Sequence, residues 1–168
     1  GHGVDILGFW LEDQGVANYL VEIGGEVRAR GVKPDSSLWT IGISTPREGA
    51  AMDDYEAIVA LPNISLATSG NYRNYYELEG RKYAHTIHPA TGFPERNPLL
   101  SASVFTESCQ QADAYATACM VLGMERAKAL INQLPDVEAY FIFGKPDGSL
   151  GTWRSSGLEK RVRFKQGG

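Results

Sequence analysis

The chain has 168 residues, with 16 Lys and Arg against 20 Asp and Glu for a formal net charge of −4, and 43% of it is hydrophobic. That much apolar surface can offset the entropy of ordering, so disorder is set aside. With no basic run longer than Lys160-Arg161, a nucleic-acid backbone is not expected as the main partner. No apolar stretch reaches about 18 residues, so a membrane-spanning helix is not expected and one globular domain is.

In chain order, Val4, Leu7, Trp10 and Leu11 recur at helical spacing and Gly15 follows, which predicts an amphipathic helix over 3–14. Residues 18–23 and 26–30 read as strands around Gly24-Gly25, a hairpin pattern. Further short strands are expected at 38–44, 57–61 and 64–68, punctuated by Pro34, Pro46 and Pro62. Residues 72–78 and 81–87 form another hairpin pattern around Glu79-Gly80. The stretch 88–98 is a loop, because Pro89, Pro94, Pro98, Gly92 and Asn97 deny it a regular ladder.

Leu100–Thr106 resumes strand character. Ser108 followed by Gln111 is a capping-box pattern that opens a helix to Leu122, and a second helix follows over 124–134, ended by Pro135. A buried strand over 137–143, the turn Lys145-Pro146-Asp147-Gly148 and a last pair of strands near Thr152 and Val162 complete the reading. Without a regular βαβ alternation, the class is α+β with a mainly antiparallel sheet and a few flanking helices. Cys109 and Cys119 share the predicted helix about 15 Å apart, too far for a mutual disulfide, so they read as small core residues.

Several groups carry possible chemistry. Asp113 and Thr117 stand one turn apart among Ala112, Ala114, Ala116 and Ala118, where a carboxylate and a hydroxyl can share a hard cation such as Mg2+. A helix packed closely on the sheet through its alanines explains the same residues, and on spacing alone that explanation is favoured. His85 and His88 are three apart on a predicted strand, so they face opposite sides and a shared metal is disfavoured. Gly24-Gly25 and Ser69-Gly70 end strands where a bare backbone can approach a phosphate or simply turn. Tyr72, Tyr75, Tyr76 and Tyr83 can stack on a planar ring or on one another across strands.

Taken in order, the series Ile23-Gly24-Gly25-Glu26, Ala67-Thr68-Ser69-Gly70-Asn71-Tyr72, Tyr83 to Pro94 and Ala112 to Ala118 resembles the ApbE family, the FAD:protein FMN transferases. The resemblance runs from Gly1 to about Phe143, and its most specific parts are the His-to-Pro and Asp-to-Thr blocks. It implies a Mg2+-dependent enzyme that cleaves FAD and transfers FMN through a phosphoester to a Thr or Ser of a target flavoprotein subunit. Hydrolysis of FAD to FMN and AMP is the alternative, and an inactive module that only binds or dimerises is a third.

By the same resemblance Asp113 and Thr117 match the metal pair and His85 the active-site histidine, while Gly24, Gly25, Ser69, Gly70, Thr91 and Gly92 would contact FAD. The chain departs from the family block at His88 and Ala90, where an acidic residue and an Arg are usual. It also lacks the family's front, so 1–168 would be the C-terminal portion of a longer protein. The opening Gly1-His2-Gly3 then aligns with the Lys-Gly-x-x-Val-Asp block without its Lys. If the missing front packs on the sheet, these residues are expected to expose apolar surface near Trp10 and the strand ending at Gly24 that the complete protein buries; a homodimer is possible, and FAD binding by these residues alone is expected to be weak. Family members are commonly exported lipoproteins, which implies a periplasmic location at the inner membrane.

Overall fold

The computed structural model describes residues 1–47, 51, 54–70, 75–78, 81–84 and 98–165, with 75–78, 81–84 and 165 described for the backbone alone. The expected α+β class is observed. The first helix, α1 (His2–Asp13), ends where Gly15 takes φ 78°, with Val16 N–H donating to the Leu11 carbonyl and Gly15 N–H to that of Glu12, both at 2.9 Å. This left-handed glycine stop satisfies the last carbonyls of the helix.

β1 (Tyr19–Ile23) and β2 (Glu26–Arg30) form the expected hairpin, with Ile23 opposite Glu26 across Gly24 and Gly25 at φ 68° and 100°. Two consecutive positive φ values define the tight turn that matches strand twist, and glycine adopts them without a Cβ clash. β3 (Trp39–Ser44), β4 (Tyr55–Leu61) and β5 (Ser65–Gly70) follow, then β6 (Tyr75–Leu78) and β7 (Arg81–Ala84), which pair with each other. β8 (Leu99–Thr106) leads into α2 (Cys109–Leu122). Gly123 at φ 73° separates α2 from α3 (Met124–Gln133). β9 (Glu138–Gly144), β10 (Leu150–Arg154), α4 (Leu158–Arg161) and β11 (Arg163–Lys165) end the described chain.

β10 and β11 are not a pair, contrary to the expectation from sequence. β10 pairs with β9, and α4 turns the chain so that β11 joins β4 across the molecule. Leu158 and Val162, both fully buried or nearly so, pull this segment onto the second sheet.

Six antiparallel strands in the order β1-β2-β5-β8-β9-β10 make the main sheet, and β11-β4-β3 a second one. Side chains alternate between its faces. On one face Ala67, Ala102, Val104 and Phe141 meet Ala112, Ala116, Cys119 and Met120 of α2. The small residues on both sides let the helix approach closely, as the alanine-packing explanation of α2 expects. On the other face Val27, Leu66, Phe105 and Ile142 meet Ile43, Val59 and Leu61 of the second sheet. A third cluster of Val4, Tyr19, Val21 and Cys109 seats α1 against β1 and α2. Both cysteines are free, and burial pushes both thiols up to about 12.

Candidate active site

The elements that carry the candidate residues are tied together by buried Asp5 and Arg28. Ser108 Oγ–H, Cys109 N–H and Gln110 N–H donate to the two oxygens of Asp5 at 2.9, 3.0 and 2.9 Å, so α1 supplies the cap of α2 from a hundred residues away. Ser108 is also the local N-cap, accepting from Gln111 N–H at 3.3 Å. Arg28 Nη1 donates to Asp5 (3.0 Å) and to the Glu107 carbonyl (3.2 Å), Nη2 to Glu12 (3.2 Å), and Nε to the Tyr19 hydroxyl (3.0 Å), which in turn donates to Glu12. Burial raises the Asp5 pKa, but the donors and Arg28 together outweigh it and hold the carboxyl below its ordinary value.

This network sets the start of α1 directly on α2. A methyl group on Gly1 would overlap the Cys109 carbonyl oxygen and lie 2.7 Å from Gln110 Cα, so only glycine fits the approach. The Gly1 nitrogen donates to Asp113 Oδ2 at 2.6 Å, and Glu26 Oε2 lies 3.9 Å from it. Two carboxylates, from β2 and α2, thus converge near the Gly1 nitrogen, and their combined negative field would attract a metal ion.

One turn along α2, Thr117 Oγ and Ser69 Oγ share a hydrogen bond of 3.1 Å. Ser69 stands on the helix side of β5, with Ala67. Asp113, Thr117 and Ser69 therefore form an oxygen-rich edge beside the Gly1 nitrogen, a donor set suited to a hard divalent cation. Among the described residues no group of three or more His, Cys, Asp or Glu side chains is arranged around a metal position. Thr117 and Ser69 hydroxyls, solvent and ligand oxygens would have to complete the shell.

The glycines lie on the other face of the same sheet end. Gly24, Gly25 and Gly70 line one cavity of about 640 Å³ with Glu22, Thr40 and Thr68. β5 separates this cavity from the Asp113–Thr117 edge, and Ser69 and Gly70 contribute one to each side. Ser101, the register partner of Gly70, is 1% exposed and its hydroxyl has no hydrogen-bond partner among the described residues. An orphaned polar atom at that position fits a ligand-binding sheet end. His85, Thr91 and Gly92 lie outside the described residues, as do the side chains of Tyr72, Tyr75, Tyr76 and Tyr83.

Asp5, Arg28 and Glu26 were not singled out from sequence. For Glu26 the signal was its place directly after Gly24-Gly25. For Asp5 it was a lone carboxylate between Val4 and Ile6, facing inward on a helix.

Residues 1–141 match the model of the ApbE family. The chain belongs to that family. It is 42% identical over 137 residues to the FAD:protein FMN transferase of Vibrio cholerae, covering 80% of this chain and 40% of that protein. To the Treponema pallidum protein of the same name it is 38% identical over 152 residues, 86% of this chain and 40% of that one. Among solved structures, the apo form of Pseudomonas stutzeri flavinyl transferase ApbE superposes with a TM-score of 0.79 at 38% identity, over 95% of this chain and 48% of that one. The V. cholerae flavin transferase ApbE gives 0.78 at 35%, over 95% and 49%. The chain thus spans less than half the length of these ApbE relatives.

Proposed function

We propose that this chain contributes the metal-binding edge and part of the FAD pocket of an FAD:protein FMN transferase. The observation that carries the proposal is the convergence of the Asp113 and Glu26 carboxylates beside the Ser69–Thr117 hydroxyl pair. It stands at the sheet end whose opposite face presents Gly24, Gly25 and Gly70 to a cavity. The names of the relatives supply the reaction.

Asp113 and Thr117 would hold Mg2+, which when bound neutralises charge on the pyrophosphate of FAD as it is cleaved. Thr117 keeps its hydroxyl oriented through Ser69. Gly24, Gly25 and Gly70 line the cavity without side chains, so phosphate or ribityl oxygens would be able to approach the backbone there. His85, with Thr91 and Gly92 in the same block, is assigned by resemblance to take the proton of the incoming hydroxyl. That hydroxyl belongs to a Thr or Ser of the target flavoprotein, and FMN is left on it through a phosphoester with AMP as leaving group. The periplasmic face of a bacterial inner membrane, with a lipid anchor outside these residues, is the proposed location and rests on resemblance. No helix among the described residues is long and apolar enough to cross a membrane. A second partner is another copy of the chain.

The test uses the natural protein at its full length with FAD, Mg2+ and a candidate target subunit. AMP released in step with flavin fluorescence on the target band supports transfer. AMP without labelled target identifies an FAD pyrophosphatase, and neither product removes the enzyme reading. Titration of residues 1–168 alone should show weak FAD binding, because the ligand's contacts are shared with a part of the protein not in this chain.

A further inference from the structure

One face of β3 stays out of the core and carries a close contact between an aromatic ring and a glycine. Alternation along the strand puts Ile41 and Ile43 against the core between the two sheets and leaves Thr40, Gly42 and Ser44 on the opposite side. Tyr55, the register partner of Ser44 at the start of β4, lies diagonally across Gly42. A methyl group on Gly42 would overlap the Cδ1–Cε1 edge of the tyrosine ring and stand 2.7 Å from its Cγ. Cγ is tied to the strand through a single Cβ, so the ring keeps this position only over a glycine. Bare backbone thus seats one side of the ring, while Tyr55 as a whole remains 45% exposed.

Tyr55 and Gly42 both line the cavity of about 640 Å³, and Tyr55 is the one aromatic side chain in its described lining. The main sheet gives that cavity a low wall, since Gly24, Gly25 and Gly70 bring no side chains to it. Charge narrows what can lie there. The described lining holds one carboxylate, Glu22, and neither Lys nor Arg, so it repels a pyrophosphate. The pyrophosphate has its place at the Asp113–Thr117 edge, on the other side of β5. An uncharged flat group meets no such repulsion, and a ring fixed by its seat is a surface on which it stacks.

We propose that Tyr55 is the stacking platform for a planar ring of FAD and that Gly42 seats it. The inference rests on the proposal that this cavity belongs to the FAD site, and it adds which part of the ligand lies there. FAD carries two planar rings, flavin and adenine, and stacking on a tyrosine is open to both. FMN and ADP hold one ring each and tell them apart.

Titration calorimetry of the full-length natural protein with Mg2+ and FAD tests the proposal. Tyr55→Leu should raise the dissociation constant for FAD about 5- to 100-fold, the range that loss of one aromatic stack produces. Tyr55→Phe keeps the ring and should bind within about twofold of the parent. Gly42→Ala leaves Tyr55 in the chain but unseats it, and should weaken FAD by a factor similar to Tyr55→Leu. Combined with Tyr55→Leu it should cost little more, because both changes act through one ring. A loss for FMN and not for ADP in Tyr55→Leu puts the flavin on the platform, and the reverse puts adenine there. Circular dichroism checks that each variant is folded, and Tyr55→Leu with Tyr55→Phe carries the test if Gly42→Ala is not. Tyr55→Leu with the parent's FAD affinity, or equal losses in Tyr55→Leu and Tyr55→Phe, overturns the platform and leaves the FAD site standing. A parent protein that binds no FAD overturns the site itself, and the platform with it.

Discussion

Asp5 and Ser108 are joined by a hydrogen bond of 2.9 Å across 103 residues of chain, and the same carboxylate takes the first two backbone N–H groups of α2. The helix that bears Asp113 and Thr117 is thus positioned by a side chain from the helix that starts beside them. Replacing Asp5 by Ala leaves those donors and the buried Arg28 without their acceptor. Loss of one partner of such a pair costs about 3–5 kcal/mol, a large share of the 5–15 kcal/mol that holds a typical domain together. A fall in the urea midpoint of that size, with Asp5→Asn less affected, is the expected outcome; a change within about 0.5 kcal/mol would show that the cap is not carrying the junction.

Acid should release the same junction. Burial tends to raise the Asp5 pKa, but its hydrogen bonds and Arg28 lower it on balance. For Glu12 the Tyr19 hydrogen bond is the largest cause of a lowered value. A depressed folded-state pKa means the unfolded chain binds protons first as pH falls. The stabilisation is therefore complete above the ordinary carboxyl range, near pH 4, and is lost as pH drops through the lower folded-state values. Thermal midpoints between pH 7 and pH 2 should decline below about pH 4 in the parent chain, and the decline should be shallower in the folded Asp5→Asn and Glu12→Gln variants.

Gly1→Ala tests how closely α1 must approach α2. The added methyl overlaps backbone of Cys109 and Gln110 rather than a flexible side-chain tip, so the start of α1 has to move. Overpacking of this kind costs about 1–3 kcal/mol. Faster amide exchange in the first turn of α1, together with separation of the Gly1 nitrogen from Asp113, is the expected signature. Unchanged exchange would mean the junction has slack that the distances do not show.

Ser101→Ala should raise the stability of the ligand-free protein. Its hydroxyl is buried without a partner among the described residues, and removing an unsatisfied buried polar group recovers about 1 kcal/mol or more of desolvation cost. If that hydroxyl serves a ligand at the Gly70 end of the sheet, the same variant should bind FAD more weakly in the full-length protein. A stabilised variant with unchanged FAD affinity would place Ser101 outside the site.

Local patterns were the most legible part of the fold. The Gly24-Gly25 hairpin, the Ser108 cap and the stop at Gly123 each depend on one or two residues whose backbone or side-chain chemistry allows little else. Pairing between distant strands was not legible, and β11 went to β4 instead of β10 because Leu158 and Val162 find burial on the second sheet. The helical period also misled on α1. Leu7 and Trp10 share the apolar spacing with Val4, yet they face outward, since the inward arc is taken by Asp5 and Gly8. A buried carboxylate answering backbone groups a hundred residues away leaves no periodic trace. The exposed surface expected near Trp10 and Gly24 was correctly placed, at Trp10 and Ile23. In the site, the one-turn spacing of Asp113 and Thr117 was visible in sequence. Glu26 beside Asp113 was not, because only the hairpin brings it there.

Asp113 and Thr117 should differ in what their loss does. Asp113 contributes the charge at the cation position and is partly exposed, so Asp113→Ala should leave the folded chain within about 0.5 kcal/mol of the parent. In the full-length protein it should abolish Mg2+-dependent flavin transfer. Thr117→Val keeps the shape of the side chain but removes an oxygen donor and the bond to Ser69, and should raise the Mg2+ concentration needed for half-maximal transfer about 10- to 100-fold. Thr117→Ser restores the oxygen and should recover most of that affinity, which a purely packing role for the residue would not predict. Activity would be followed as flavin fluorescence on the target subunit across a Mg2+ titration. If Asp113→Ala transfers flavin with the parent's Mg2+ dependence, the cation is held elsewhere and Asp113 serves only to accept from the Gly1 nitrogen.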